Sequence, residues 1–465
     1  MRIPRDPLSE LPRQSGPDSV VDSELGTPPE RSRFYLSVTA KFWIAVLLSI
    51  LWAWMTWVLG RKWVLEMADV FGVSTAYFLF IGIAVVPGFM NAFLVASLLL
   101  DNRPRFRRAT RSWPGVSILV AAYNEETNIV QTVLSIANQH YAGALQVIVV
   151  NDGSTDGTVA AVSQLHFPWL EVMDLKQNVG KANALTKALE RVQHSITITI
   201  DGDSYLHRRA LQNLVLRYMS DPPNTRAVAG AVLVRNSRTN LVTKVQEWDY
   251  FHGIAAVKRL QSMYQGTLVA QGAFSAYDTQ TLRDVGGWPH TVGEDIVLTW
   301  AILKAGYRVG FAENAVLFTN APTTWKQFIR QRQRWSRGLM EAFKLHWQML
   351  FKMRLTTLFI WWNLLFPYLD VVFTLAFVPG VILALFGIFW IAGPMTLAVL
   401  PLAFLVNWLM YSIQKKMFEK QGLKVRSNRL GLVIYVLFYG LILQPACVVG
   451  YIQEFVTRGK RWGTK

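Results

Sequence analysis

Residues Ser195-Ile-Thr-Ile-Thr-Ile200 run directly into Asp201-Gly-Asp203. The first six are rich in β-branched side chains, which fit a pleated surface, and a polar turn ends them. Two further stretches follow the same pattern. Val116-Ser-Ile-Leu-Val-Ala-Ala122 leads into Tyr123-Asn-Glu-Glu126, and Leu145-Gln-Val-Ile-Val-Val150 leads into Asn151-Asp-Gly-Ser-Thr-Asp156. Helical stretches separate the three, so they read as parallel strands of one α/β sheet flanked by helices. In such sheets ligands bind beyond the carboxyl ends of the strands. The three acidic strand ends therefore converge on one crevice, and that convergence says more than any one of them.

Asp201 and Asp203 suit a hard divalent cation, Mg²⁺ or Mn²⁺, with positions left over for phosphate oxygens and water. Neutralising a leaving diphosphate is what such a cation does in glycosyl transfer. Alone, Asp-x-Asp more often marks only a polar turn; its place at an apolar strand end gives it weight. Asp152 sits in a common turn former, yet a second strand end favours carboxylate hydrogen bonds to a base or ribose. Lys181, in Gln177-Asn-Val-Gly-Lys-Ala182, opens a helix after another strand and suits a diphosphate. The upstream glycine of a phosphate-binding P-loop is missing, which excludes an ATPase reading.

Gly293-Glu-Asp295 begins a helical stretch over 296–304. Carboxylates in a first helical turn can simply be capping groups. The functional alternative is a general base that takes a proton from an attacking sugar hydroxyl. In Thr323-Thr-Trp-Lys-Gln-Phe-Ile-Arg-Gln-Arg-Gln-Arg-Trp-Ser-Arg337, Gln331, Arg334 and Trp335 stand at i, i+3 and i+4 and share one helix face. Arg334 can grip a phosphate bidentately, and Trp335 offers a flat surface for a pyranose. The plainer reading is an interfacial amphipathic helix with snorkelling arginines. One helix can be both.

The rest of the chain points to lipid. Of its 465 residues 52% are hydrophobic and only 17% charged, against about 25% charged in soluble proteins. The formal charge is +17, but the basic residues cluster beside apolar runs, as in Asp101-Asn-Arg-Pro-Arg-Phe-Arg-Arg108 and Gln414-Lys-Lys-Met-Phe-Glu-Lys420. That placement fits membrane lipid and sugar-nucleotide phosphates, not nucleic acid. Cys447 is the one cysteine and reads as an inert small hydrophobe, so no disulfide forms within the chain.

The expected order is a disordered tail over 1–33, two transmembrane helices over 34–100, and a cytosolic catalytic domain over 101–322. Interfacial helices follow over 323–366, then about three transmembrane helices over 367–456 and a basic tail over 457–465. Arg103, Arg105, Arg107, Arg108 and Arg111 put the central domain inside, as do Lys415, Lys416, Lys420, Lys424 and Arg426. A fifth span over 430–451 would then send Arg458-Gly-Lys-Arg461 outside, against the same tendency. Pro445 leaves a re-entrant segment open instead.

Taken in order, Tyr123-Asn-Glu125, Asp152-Gly-Ser154, Asp201-Gly-Asp203, Gly293-Glu-Asp295 and Gln331-Arg-Gln-Arg-Trp335 resemble the processive membrane synthases of glycosyltransferase family 2. The resemblance covers 123–335. It implies a GT-A fold inserted between transmembrane helices, with interfacial helices over a channel for the growing polymer. It also implies roles: Tyr123, Glu125 and Asp152 at the uridine, Lys181 near the diphosphate, and Asp203 on the metal with Asp201 in support. Asp295 would be the catalytic base, with Glu294 beside it. Gln331 and Arg334 would hold the acceptor end and the diphosphate, and Trp335 would stack on the acceptor sugar. Within the family the run Glu294-Asp-Ile-Val-Leu-Thr-Trp300 and the basic tail look most like the poly-β-1,6-N-acetylglucosamine synthases. Gly293 is instead like the chitooligosaccharide and hyaluronan enzymes. The expected partners are a UDP-sugar donor, a polysaccharide acceptor, membrane lipid and a small accessory membrane subunit, with a bacterial inner membrane as the location.

Overall fold

The computed structural model describes residues 36–101, 112–419 and 422–456. The expected tails, the basic run Arg103 to Arg111 and Lys420 lie outside the described residues. The three strands read from sequence are β1 (Val116–Ala122), β2 (Leu145–Asn151) and β4 (Ile196–Asp201). They run parallel, with β1 between β2 and β4. Five more complete the sheet: β3 (Leu170–Asp174), β5 (Tyr205–Leu206), β6 (Thr225–Val234), β7 (Phe274–Asp278) and β8 (Arg308–Thr319). The order is β3-β2-β1-β4-β7-β6-β8-β5. β7 is antiparallel to both of its neighbours, so a parallel half passes into a mixed half at β4.

Period-2 alternation feeds two cores. Ile118, Val120, Ile198 and Ile200 face one helical layer, and Leu119, Ile148 and Val150 face the other. Burying each such side chain stabilises the fold by about 1.5–3 kcal/mol. The threonines between the β4 isoleucines are buried as well. Thr197 meets Thr279 hydroxyl to hydroxyl at 2.8 Å, which satisfies a polar pair inside the sheet.

Four described helices are long and apolar enough to cross a membrane: Val38–Leu59, Val73–Leu99, Thr357–Leu385 and Arg429–Val456. The expected break between an interfacial stretch and a span at 366/367 falls inside one continuous helix. Pro367 is accommodated within it, and a π-helical turn at Phe373–Phe377 runs into Pro379, the sort of local adjustment that re-satisfies a backbone freed by proline. A 26-residue helix, Pro394–Glu419, covers the span expected over 395–411.

Candidate functional site

The ends of β1, β2 and β4 are tied together before any ligand is considered. Asn124, at φ 55°, donates its backbone N–H to Ser154 Oγ and accepts from the Thr155 N–H, each at 2.9 Å. The Glu125 N–H donates to Thr158 Oγ1, and the Glu125 carboxylate accepts from Asn128 Nδ2. Gly202, between the two aspartates, is held on both sides. Its N–H donates to the Ala121 carbonyl, and its carbonyl accepts from Thr132 Oγ1. Tyr123 is half-buried beside this knot.

Asp152 directly follows β2, beyond Asn151. It is 3% exposed, and its two oxygens accept the backbone N–H groups of Val179 and Gly180 at 2.7 and 3.0 Å. Burial raises its pKa, and those two amides work against the rise. The carboxylate thus fixes the turn before Lys181. Gly180 has φ 85° there, a conformation glycine adopts freely.

Lys181 heads the helix Lys181–Ala188 and points into the crevice. Its Nζ lies 2.5 Å from Asp201 Oδ1 and 3.7 Å from Glu294 Oε1, with the lysine only 6% exposed. Burial opposes its charge, yet Asp201 and Glu294 outweigh this and raise its pKa. Glu294 is pushed up by burial, with Lys181 and Arg334 acting in the opposite sense. Arg334 of the helix Trp325–His346 therefore acts on the same carboxylate as Lys181.

Asp295 is half-buried in the first turn of Glu294–Lys304, where its Oδ1 accepts the Ile296 N–H at 2.7 Å. Asp203 accepts from Thr319 Oγ1 at 3.3 Å. Among the described residues no group of three His, Cys, Asp or Glu is placed to hold a metal ion. Asp201 and Asp203 offer two protein carboxylates on one turn. That fits Mg²⁺ or Mn²⁺ of the kind that keeps its remaining positions for phosphate and water.

Thr324 caps the Trp325–His346 helix, accepting from the Gln327 N–H. Gln331 is buried beside Tyr250, and Trp335 is 38% exposed. Beneath it the Arg332 guanidinium lies 4.0 Å from the indole ring and pairs with Asp249 Oδ2 at 2.8 Å. The motif helix is thus pinned through Arg332, while Arg334 acts on Glu294 and Trp335 keeps an exposed face beside Tyr250.

Three residues that complete this wall, Tyr250, Lys258 and Glu341, carry no sequence pattern, and the pair Gln271-Gly272, expected where the acceptor meets the domain, joins them. Tyr250 is buried between Asp203, Gln331 and Trp335. Lys258 is fully buried and donates to Gln271 Oε1, and Gln271 in turn donates to the Gly230 carbonyl. Gly272 backs directly onto Lys181 Nζ and Glu294. Glu341, one turn beyond the motif and itself buried, accepts the Gly293 N–H at 3.0 Å. Only the position of Glu341 on the motif helix hinted at it; 241–263 carries no motif.

Residues 114–338 match the model described as glycosyltransferase like family 2. Over that stretch the chain is similar to the family 2 glycosyltransferases. It is similar to the poly-β-1,6-N-acetyl-D-glucosamine synthase of Staphylococcus aureus strain COL, 28% identical over 227 residues, which covers 48% of this chain and 54% of that protein. The Staphylococcus epidermidis synthase of the same name is 26% identical over 271 residues, covering 58% of this chain and 65% of that one. The match therefore takes in between about half and two thirds of those relatives. A mannosyltransferase from Pyrobaculum calidifontis, solved with GDP-Man and Mn²⁺, superposes with a TM-score of 0.53 at 20% identity, over 80% of this chain and 96% of that one. The shared architecture is a GT-A-like mixed sheet with flanking helices.

Proposed function

We propose that this chain is an inverting β-glycosyltransferase that polymerises N-acetylglucosamine from UDP-N-acetylglucosamine and exports the product through its membrane helices. The observation that carries the reading is the cluster of Lys181, Asp201 and Glu294, with Asp295 next in chain and Arg334 facing it from the motif helix. Lys181 and Arg334 bring positive charge to where a diphosphate would leave. Asp295, whose charge acts on both Lys181 and Glu294, takes the proton from the acceptor hydroxyl as it attacks the anomeric carbon. Trp335 stacks on the acceptor sugar, and Gln331 holds its end. Asp203 and Asp201 would hold Mg²⁺ or Mn²⁺, which when bound neutralises the departing UDP. Tyr123, Glu125 and the turn fixed by Asp152 form the nucleoside side.

The apolar helices and the synthase names of the relatives support a polymer product made at a membrane; the proposal places it in a bacterial inner membrane, with the domain cytosolic and a small accessory subunit alongside. The test is UDP release by detergent-purified protein given UDP-N-acetylglucosamine or UDP-glucose with either metal, with the product sized. Release from the N-acetyl donor with a long product supports the proposal. Release from glucose alone moves the enzyme to another β-glycan, and a single-sugar lipid adduct overturns polymerisation.

A further inference from the structure

The helix Arg429–Val456 has the length and apolarity of a span, yet both of its ends are fastened to the catalytic domain. At its start, Trp248 Nε1–H donates to the Asn428 carbonyl at 2.9 Å. Asn428 Nδ2 donates to Glu247 Oε2 and the Lys244 carbonyl, at 2.5 and 2.8 Å. At its end, Glu454 pairs with Arg337 at 3.3 Å and with Lys344 at 3.0 Å. Those two cations stand on the Trp325–His346 helix, which packs on the domain through Gly338 against Gly293 and Phe343 against Trp300. Between the ends the two helices run side by side. Tyr439 meets Phe328 with ring centres 5.5 Å apart, and Gly450 lies against Gln333 and Ser336.

A crossing helix must part its ends by a hydrocarbon core about 30 Å thick. A helix whose first and last turns grip one folded domain does not do that. Its other face carries Leu430, Val433, Leu437, Leu441, Ile452 and Phe455, all exposed and recurring at helical spacing as one stripe. The protein-facing side also meets the span Thr357–Leu385, where Gly440 lies near Phe373 and the buried Tyr451 O–H donates to Asp370 Oδ2 at 2.9 Å.

We propose that Arg429–Val456 lies in the plane of the membrane surface, between the motif helix and lipid hydrocarbon, and does not cross. Its occupant face is the acyl region of the leaflet on the catalytic side. Crossings are then made by Val38–Leu59, Val73–Leu99, Thr357–Leu385 and Pro394–Glu419. Their even number returns Arg458, Lys460 and Arg461 to the side of the catalytic domain, where basic residues next to a membrane belong. The conflict left by a fifth crossing disappears. The assignment stands on these tethers and not on the transfer chemistry.

The experiment is labelling of single cysteines in the full chain carrying Cys447→Ser, with a membrane-impermeant maleimide on intact and permeabilised cells. Gln164→Cys reports the catalytic domain, Asp69→Cys the loop between the first two helices, and Thr464→Cys the end of the chain. The expected result is that Thr464→Cys follows Gln164→Cys and opposes Asp69→Cys. Thr464→Cys following Asp69→Cys overturns the proposal. Should Gln164→Cys itself label from outside, the cytosolic assignment of the domain fails, while agreement of Thr464→Cys with it still supports the in-plane helix. A second readout uses nitroxides at Leu430, Leu441 and Ile452 in vesicles. Equal depths support the proposal, and a steady gradient from one to the next overturns it.

Discussion

Gly293 and Gly338 meet backbone to backbone: a methyl group on Gly293 would sit 2.5 Å from Gly338 Cα, and one on Gly338 would sit 2.7 Å from Gly293 Cα. This contact seats the motif helix on the turn that presents Glu294 and Asp295. Gly338→Ala forces the two elements apart, and overpacking of that kind costs about 1–3 kcal/mol. The expected outcome is a lower melting temperature together with a loss of UDP release well beyond the loss of folded protein. Unchanged turnover would show that the spacing of the two elements does not matter.

Asp295→Asn keeps the shape of the carboxylate and removes its basicity. Turnover should fall by a factor on the order of 10²–10⁴, while UDP binding measured by calorimetry stays near that of the parent. A variant that still turns over at the parental rate removes Asp295 from the role of base.

Lys181→Met takes the paired ammonium from Asp201 and from a buried Glu294, with Arg334 left acting on Glu294; losing one partner costs about 3–5 kcal/mol where the charge is fully buried. Adding Glu294→Gln should restore much of the melting temperature and none of the activity. Recovery of activity in the double variant would mean that Lys181 serves only the fold.

Burial holds Lys258 down to about 7 against its ordinary 10.5. Between those two values the unfolded chain binds a proton that the folded chain lacks, so stability should rise with pH across that window. Below it both states carry the proton and the full penalty of burying the charge is present. The slope is at most about 1.4 kcal/mol per pH unit. Lys258→Met should flatten the profile and raise stability most on the acid side, as read by thermal melting in detergent. An unchanged slope would mean that another group titrates there.

A chelator should suppress UDP release, and Mg²⁺ or Mn²⁺ should restore it in the parent. Asp203→Asn should need a higher metal concentration to reach its own maximum. Turnover indifferent to chelator would remove the metal from the reaction.

Much of this site was legible because its chemistry sits at strand ends, where a period-2 apolar run followed by an acidic turn leaves few alternatives. Asp201, Lys181, Glu294 and Arg334 do fall together, although Glu294 is 93 positions from Asp201 by their numbering. Asp152 was legible in place but not in partner, because no sequence pattern says that two amides beyond the next strand will claim its oxygens. Lys258 and Tyr250 were illegible for another reason. They come from 241–263, whose polar and apolar residues carry no motif and acquire meaning only when packed against Asp295 and Asp203. Hydropathy likewise gives Arg429–Val456 the signature of a span, since it measures apolarity and cannot see that the small residues Ala446 and Gly450 face protein.

The position of Lys181 between Asp201 and Glu294 has a consequence for how tightly the crevice can hold a donor. Lys181 is already paired with two carboxylates, so an arriving diphosphate must compete with them for its ammonium. The same carboxylates reclaim that ammonium as the nucleotide departs. Such an arrangement gives up ground-state affinity and gains an easy exit for product, which suits the proposed polymerisation, where the donor site empties and refills once for every sugar added.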